Sequence, residues 1–136
     1  MPILNVKISG PRRPDIVSQV TDMLLEHTSA ILGKKRNVTA ITLQFIGPED
    51  WIIAGRPLSE QGLASFYLDI KVTDETNTKD EKARYLKAVF EGFGRILGPV
   101  HDESYIYVED VRAASYGYGG KTQEYRYQHP AWRGGR

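Results

Sequence analysis

The 136-residue chain contains no cysteine. This absence excludes disulfide scaffolds, thiolate metal sites and cysteine nucleophiles, and it is typical of proteins that work in a reducing compartment. No apolar run approaches the roughly 20 residues of a membrane span, and the N-terminus lacks the apolar core of a signal peptide. We therefore expect a cytoplasmic protein without a membrane partner. His27 and His101 show no metal-ligand spacing, so no metal site is expected.

The chain also lacks an excess of charge of either sign. Its 18 lysine and arginine residues balance 17 aspartate and glutamate residues, which leaves a net charge of +1. Such a balance gives no electrostatic reason to expect binding to nucleic acid. The length is that of one domain with its own core, so residues 1–136 are interpreted as a single domain.

Two similar halves make up most of this domain. Hydrophobic periodicity predicts the same series in each half: a strand, a helix, a second strand and a short aromatic arm ending in glycine. In the first half these elements are predicted at residues 3–8, 14–33, 38–46 and 51–55, followed by a linker at 56–62. In the second half they are predicted at residues 65–72, 79–97, 104–111 and 116–120, followed by an extended tail at 121–136.

The two halves align as an internal duplication. Ile31-Leu32-Gly33 matches Ile96-Leu97-Gly98 at a shift of 65 residues, and the first strands match at a shift of 64. We interpret residues 2–62 and 63–120 as two β-α-β repeats. Parallel strands joined by right-handed helical crossovers then predict an α+β fold, with a four-stranded mixed sheet and both helices on one face.

Only the first repeat begins with a proline next to the chain terminus. Removal of Met1 would give Pro2 a secondary amine held at the start of a strand. An α-amino group titrates near pH 8, so modest desolvation makes it neutral at working pH. A neutral, rigidly held base is what proton transfer requires. Pro2 is therefore a candidate general base and acid.

Four segments together carry a resemblance to a known family. They are Pro2-Ile3, Gly10-Pro11-Arg12 and the aromatic–glycine segments at residues 51–55 and 116–120. The pattern resembles the tautomerase superfamily, and most closely its members with two 4-oxalocrotonate-tautomerase-like repeats fused in one chain, such as the cis-chloroacrylic acid dehalogenases. The resemblance implies a fold like that of macrophage migration inhibitory factor and catalysis by the N-terminal proline without a cofactor. It also implies 2-hydroxy-dienoate or enol-pyruvate carboxylates as substrates, and a homotrimer with sites shared between subunits.

The resemblance transfers to individual residues unevenly. Pro2 matches the catalytic proline, Arg12 lies where short tautomerases place a substrate-binding arginine, and Tyr107 or Tyr105 matches a tyrosine on the last strand of the dehalogenases. Where those dehalogenases have two arginines and a water-activating carboxylate, this chain instead has the residues Lys71, Thr73, Asp74 and Ser115.

Further candidates come from side-chain chemistry. Arginine holds a carboxylate with two parallel hydrogen bonds, and aromatic walls lower the pKa of a nearby amine. The additional candidate substrate-binding residues are Arg13, Arg36, Trp51, Lys71, Tyr105 and Tyr118. The basic run at residues 34–36 is otherwise interpreted as a solvated cap at the end of the first helix.

Three functions remain open at this point. Tautomerisation is favoured, since water-adding chemistry lacks its carboxylate at Ser115. The first alternative is hydration or dehalogenation of 3-substituted acrylates. The second is an RRM-like nucleic-acid-binding module, which shares the βαββαβ order but would need a basic–aromatic strand pattern that this chain lacks.

The strands are more apolar than one helical layer requires, so a trimer face is expected to cover part of them. The strand residues assigned to this face are Leu4, Val6, Ile8, Leu68, Ile70, Ile106 and Val108. The arms at Trp51 and Tyr116 are expected to reach neighbouring subunits, and Tyr125, Tyr127 and Trp132 to dock there. On the second helix the predicted core face comprises Ala83, Leu86, Val89, Phe90, Phe93 and Leu97.

Overall fold

Residues 2–130, which the computed structural model describes, form a four-stranded sheet with two long helices against one face. In chain order the elements are β1 (Ile3–Ser9), α1 (Pro14–Ala30), β2 (Ala40–Ile46), β3 (Ile52–Ile53), β4 (Arg56–Pro57), β5 (Phe66–Thr73), α2 (Lys79–Leu97), β6 (Tyr105–Val111), β7 (Gly117–Tyr118), β8 (Lys121–Thr122) and α3 (Gln123–Gln128). The predicted α+β fold and the order of its main elements are confirmed. None of the described helices is long and apolar enough to cross a membrane.

The order of strands in the sheet is β2-β1-β5-β6. The outer pairs β1–β2 and β5–β6 are parallel, as expected for β-α-β units, and the central pair β1–β5 is antiparallel. Ile3 lies opposite Lys71 and Ile8 lies opposite Phe66. The start of β1 therefore lies beside the end of β5. We call the end of the sheet where β1 starts the proline end, and the end where β1 finishes the far end.

Local signals account for the helix boundaries. Pro14 opens α1, where its missing N–H removes no helical hydrogen bond. At the start of α2, the Thr78 hydroxyl accepts the Glu81 N–H at 3.1 Å, and the Glu81 carboxylate accepts the Thr78 N–H at 2.9 Å. This reciprocal capping box satisfies two backbone donors that the helix leaves free.

The helices cover one face of the sheet and bury the inward-facing residues of its two central strands. Leu4, Val6, Ile8, Leu68 and Ile70 are fully buried in the core of the single chain. Ile106 and Val108 pack against the same core. The prediction of a trimer face is therefore wrong for the five fully buried residues, which the helical layer covers. Ile106 and Val108, on the outer strand β6, are only partly buried. The opposite face of the sheet is open, and its side chains are mainly polar and aromatic.

The buried face of α2 differs in part from its prediction. Ala83 and Leu86 are exposed, whereas Tyr85 is fully buried. The Tyr85 hydroxyl lies 2.9 Å from the Thr28 hydroxyl on α1, and this hydrogen bond allows a polar atom to enter the core. Burial raises the pKa of Tyr85 to about 12. Gly92 is also buried. The Met23 side chain approaches it so closely that an added Cβ would lie 2.7 Å away, so the position has no room for a larger residue.

Two connecting segments are more structured than predicted. Arg56–Pro57, assigned to a linker, forms β4 and pairs with β3, and Leu58 is buried behind it. The tail contains the helix Gln123–Gln128 instead of an extended segment, because the Thr122 hydroxyl accepts the Tyr125 N–H at 3.0 Å and caps it. Trp132, also assigned to the tail, lies outside the described residues.

Candidate active site

Pro2 is buried at the proline end of the sheet. Its carbonyl oxygen accepts the Ala40 N–H of β2 at 3.1 Å, while the next residue, Ile3, lies opposite Lys71 on β5. Proline is tolerated at this first position because no hydrogen bond of the sheet needs its missing N–H. Pro2 is thus held between the start of β2 and the end of β5.

Lys34 supplies an ordered cation at the proline end. Its ammonium donates to the Thr76 hydroxyl at 2.8 Å, and that hydroxyl donates to the Thr73 carbonyl at 2.6 Å, at the end of β5. Partial burial lowers the pKa of Lys34, and the carboxylates of Glu81 and Asp110 oppose that shift. Lys34 is therefore only partly solvated, whereas Lys35 and Arg36, in the same basic run, are exposed.

The sequence did contain a signal for this placement of Lys34. A parallel β-α-β crossover returns the chain to the edge of the sheet from which it started. The segment between α1 and β2 must therefore lie at the same end as the start of β1, where Pro2 is. Residues 34–36 belong to that segment.

Arg12 and Arg13 lie at the far end. Arg12 is exposed and follows the end of β1, so the seven residues of that strand separate it from Pro2. A strand of this length spans about 20 Å at roughly 3.3 Å per residue. Arg13 is held by the carboxylate of Asp15 at 2.7 Å. One chain therefore does not bring Pro2 and Arg12 together.

Arg36 and Tyr118 lie at the proline end, on the surface. The Arg36 guanidinium lies 3.8 Å from the Glu26 carboxylate, and both side chains are exposed. Tyr118 belongs to the hairpin β7–β8 that follows β6, and the Arg126 guanidinium lies 3.9 Å from the centre of its ring. Arg126 also donates to the Tyr118 carbonyl at 2.9 Å. Both candidates thus already have partners within the chain.

Lys71 lies on the open face of the sheet, where two carboxylates balance its positive charge. Its ammonium is 2.8 Å from Asp69 and 3.3 Å from Glu109. The Asp69 side chain is only 7% exposed, and its second oxygen accepts the Asn5 amide at 3.3 Å. The hydrogen bond to Asp69 raises the pKa of Lys71. These contacts give Lys71 a stabilising role on the open face.

Trp51 and Tyr105 lie at the far end of the sheet, and Tyr107 lies two residues further along β6. Tyr105 and Tyr107 are half-exposed on the open face, with their ring centres 6.3 Å apart. The Tyr105 hydroxyl donates to the Glu103 carboxylate at 2.8 Å, and this bond raises the pKa of Tyr105. Trp51 and Tyr105 line a common groove of about 440 Å³. The structure thus places Trp51 and Tyr105 at the opposite end of the sheet from Pro2. Tyr107 lies near the middle of the sheet, beside Asp69, which in turn pairs with Asn5.

Among residues 2–130, no group of three or more His, Asp or Glu residues is arranged to hold a metal ion. The functional candidates instead fall into two sets. Pro2, Lys34 and Arg36 lie at the proline end, whereas Arg12, Trp51 and Tyr105 lie at the far end. A site that uses both sets requires two copies of the chain.

The architecture is that of an α+β class built from two tandem β-α-β units, and solved proteins share it. The protein Q0 fused 4-OT, solved as a wild-type symmetric trimer, superposes with a TM-score of 0.77 at 20% identity, covering 90% of this chain and 96% of its own. A macrophage migration inhibitory factor homologue from Prochlorococcus marinus superposes with a TM-score of 0.72 at 23% identity, covering 88% of this chain and 97% of its own. Pt0534, solved after inactivation by 2-oxo-3-pentynoate, has a TM-score of 0.78 at 12% identity, covering 90% of this chain and 98% of its own.

No protein-family model and no curated protein matches the chain. The similarity to solved structures is nevertheless extensive, since it covers about nine-tenths of this chain. The chain therefore has the fold of the fused 4-OT proteins, and its resemblance to the tautomerase superfamily is confirmed for the fold.

The ion pairs of Lys71 generate a prediction about stability. Replacing Lys71 with glutamine leaves the buried Asp69 carboxylate without its cation. We expect the free energy of unfolding at pH 7 to fall by about 1–2 kcal/mol, less than for a fully buried pair because Lys71 is 43% exposed. Lys87→Gln is the control, since Lys87 and its partner Glu91 are both largely exposed. Urea unfolding that gives equal stabilities for the two variants at pH 7 would contradict this account.

The same prediction has a pH dependence. The folded-state pKa of Lys71 is raised, so the pair stabilises the protein fully below the ordinary lysine pKa of about 10.4. As the pH rises through the folded-state pKa, the ammonium loses its charge and this stabilisation disappears. The difference in stability between the parent and Lys71→Gln is therefore expected to shrink above about pH 10.4.

Proposed function

We propose that the protein is a cofactor-independent tautomerase acting on 2-hydroxy-dienoate or enol-pyruvate carboxylates, with the amine of Pro2 as the catalytic group. The neutral amine takes the proton of the 2-hydroxyl group, and the electrons of that O–H bond form the 2-oxo group. The same nitrogen then returns the proton to a carbon of the conjugated system. The proton count is unchanged, and the step is an isomerisation.

The buried position of Pro2 at the start of β1 is the observation that carries this proposal. Burial disfavours the charged form of an amine, and the surrounding strands hold the nitrogen in a fixed direction. Lys34 lies at the same end, and its ammonium can balance the negative charge that develops as the proton leaves. The fold supports the proposal too, since the fused 4-OT proteins share it.

Water-adding chemistry receives less support. Hydration of an acrylate needs a group that activates water in addition to the proline. The position expected for its carboxylate is Ser115, which ends the short 3-10 turn Ala113–Ser115 before β7. A serine lacks the basicity for this role. Tautomerisation needs only one proton-transfer group and a cation, so it fits these residues better.

We propose further that the active unit is a homotrimer with sites shared between copies. Q0 fused 4-OT forms a symmetric trimer and R7 fused 4-OT an asymmetric one. In a ring, the surface that one copy offers to the next differs from the surface it receives. The proline end of one copy can then meet the far end of its neighbour, where Arg12 is exposed. Arg12 would hold the substrate carboxylate from that neighbour.

The first test concerns Pro2. Pro2→Ala is expected to lose most of the ketonisation of phenylenolpyruvate while keeping the fold, because a primary amine is less rigidly held. Incubation with 2-oxo-3-pentynoate, an electrophile that reacts with amines, is expected to add one inhibitor mass to Pro2 of the parent protein. Absorbance assays, circular dichroism and peptide mass mapping measure these outcomes.

A matched control retains the initiating methionine, through a lysine inserted after Met1 that blocks its removal. This variant keeps Pro2, but the nitrogen of Pro2 is part of a peptide bond and is not basic. The variant is therefore expected to be inactive and unlabelled. The proline mechanism is wrong if either variant ketonises phenylenolpyruvate as fast as the parent protein does.

The second test concerns the shared site. Arg12→Ala is expected to lower kcat/KM for carboxylate substrates, with a loss of transition-state stabilisation of about 1.5–3 kcal/mol. Arg12→Lys is expected to recover part of this loss. Chains carrying Pro2→Ala and chains carrying Arg12→Ala are unfolded together and refolded at equal concentrations. In a head-to-tail ring about one site in four then combines an intact Pro2 with a neighbour's intact Arg12.

Activity that reappears on mixing therefore indicates a site shared between copies. Light scattering at the assay concentration should give three times the chain mass of 15.4 kDa. A fully active monomer, or mixed chains that stay as inactive as the separate variants, would refute the shared site.

A further inference from the structure

The two repeats place a lysine at the same position of the open face but surround it differently. Lys7 on β1 corresponds to Lys71 on β5, 64 residues later. Two residues before each lysine, on the same face, the first repeat has Asn5 and the second has Asp69. Asp69 accepts a hydrogen bond from Lys71, whereas an asparagine at the equivalent position carries no charge to offer Lys7.

The strand beside each lysine repeats this difference. Lys71 lies opposite Glu109 on β6, and the two side chains form an ion pair at 3.3 Å. Lys7 lies opposite Gln44 on β2. Both carboxylates that neutralise Lys71 are thus replaced by amides around Lys7.

Lys7 consequently keeps its positive charge available. Within residues 2–130 it takes part in no ion pair. Its ammonium lies 5.4 Å from the centre of the Tyr67 ring, on the side of the sheet that the helices leave open. A cation beside an aromatic ring and without a carboxylate partner is a good receptor for an anionic group.

Lys7 faces the far-end groove of about 440 Å³, within the usual size range of small-molecule sites. The aromatic side chains of Trp51, Tyr67 and Tyr105 line it together with Ile46. Flat aromatic walls pack well against a planar ring. The groove therefore combines one free cation with surfaces suited to an aryl group.

Two carboxylates also line the groove and limit the charge of its ligand. Glu103 already accepts the Tyr105 hydroxyl at 2.8 Å, and Asp50 lies beside Trp51 in the chain. Their negative charges repel a second anionic group, because Lys7 is the only cation among the described residues that line the groove. The lining thus favours a ligand with one carboxylate over a ligand with two.

We propose that this groove binds aryl monocarboxylates, with Lys7 holding the carboxylate and the aromatic side chains holding the ring. As a binding site it stands independently of catalysis. As the part of the active site that selects substrates, it rests on the proposed tautomerase and would select aryl enol-pyruvates over dicarboxylic dienoates. Lys7 is then the residue that determines this specificity.

The experiment measures binding of trans-cinnamate, an aryl monocarboxylate that cannot tautomerise, by isothermal titration calorimetry. The parent protein is expected to bind it, and Lys7→Gln to weaken binding about 10- to 100-fold, as loss of a charge-assisted contact does. Lys7→Arg should retain most of the affinity. Cinnamyl alcohol, which has the same ring but no charge, should bind the parent and Lys7→Gln equally.

A second pair of variants leaves Lys7 untouched. Gln44→Glu gives Lys7 the carboxylate partner that Glu109 gives Lys71, so it is expected to weaken cinnamate binding at least about 10-fold. Gln44→Ala removes the same amide without adding charge and is the matched control, with an expected affinity within about twofold of the parent. Gln44 is exposed, so both variants should fold.

Three results would overturn the proposal. They are equal cinnamate affinities for the parent, Lys7→Gln and Gln44→Glu, no measurable binding to the parent, and tighter binding of trans,trans-muconate than of cinnamate. The same titration on Pro2→Ala separates the two proposals. Unchanged cinnamate binding to that variant supports the groove whether or not the protein proves to be a tautomerase.

Discussion

The antiparallel pairing of β1 with β5 determines the arrangement of the molecule. Each β-α-β repeat is a parallel unit, and within the sheet the two units join through these central strands, with Ile3 opposite Lys71 and Ile8 opposite Phe66. Because the two strands run in opposite directions, equivalent positions of the repeats fall at opposite ends of the sheet. The proline end and the far end are therefore two versions of the same architecture, and only one of them contains a proline next to the chain terminus.

The two faces of the sheet differ in composition: one packs against the helices, and the other carries the charged and aromatic side chains of the candidate groove. The face beneath the helices is apolar, and it is fully buried along the two central strands, so its residues are set by packing. The open face carries charges and tyrosines that this packing does not require, and there the repeats have diverged. Lys71 is fixed by Asp69 and Glu109, whereas Lys7 lies beside the Tyr67 ring and forms no ion pair with the residues that the structure describes. One fold thereby supports a stabilising ion network at one end and a candidate binding groove at the other.

Most of the fold followed from local patterns in the sequence. The helix at residues 79–97 was predicted to the residue from its apolar residues at helical spacing, and the structure shows a capping box at its start and Gly98 after its end. The burial of Tyr85 was missed, since it depends on a hydrogen bond to Thr28 on another helix, which no local pattern reveals. The candidate site was less predictable. Pro2 and Arg12 were both singled out as candidates, but the length of β1 keeps them about 20 Å apart in one chain.

Our central proposal is that the nitrogen of the buried residue Pro2 is a neutral base once Met1 is removed. Its most direct test is the ¹⁵N chemical shift of Pro2, followed against pH in protein freed of Met1. The account predicts a pKa below about 8, the ordinary range of an α-amino group, so that the amine is mainly neutral at working pH. Retention of Met1, or a pKa clearly above this range, would contradict the account.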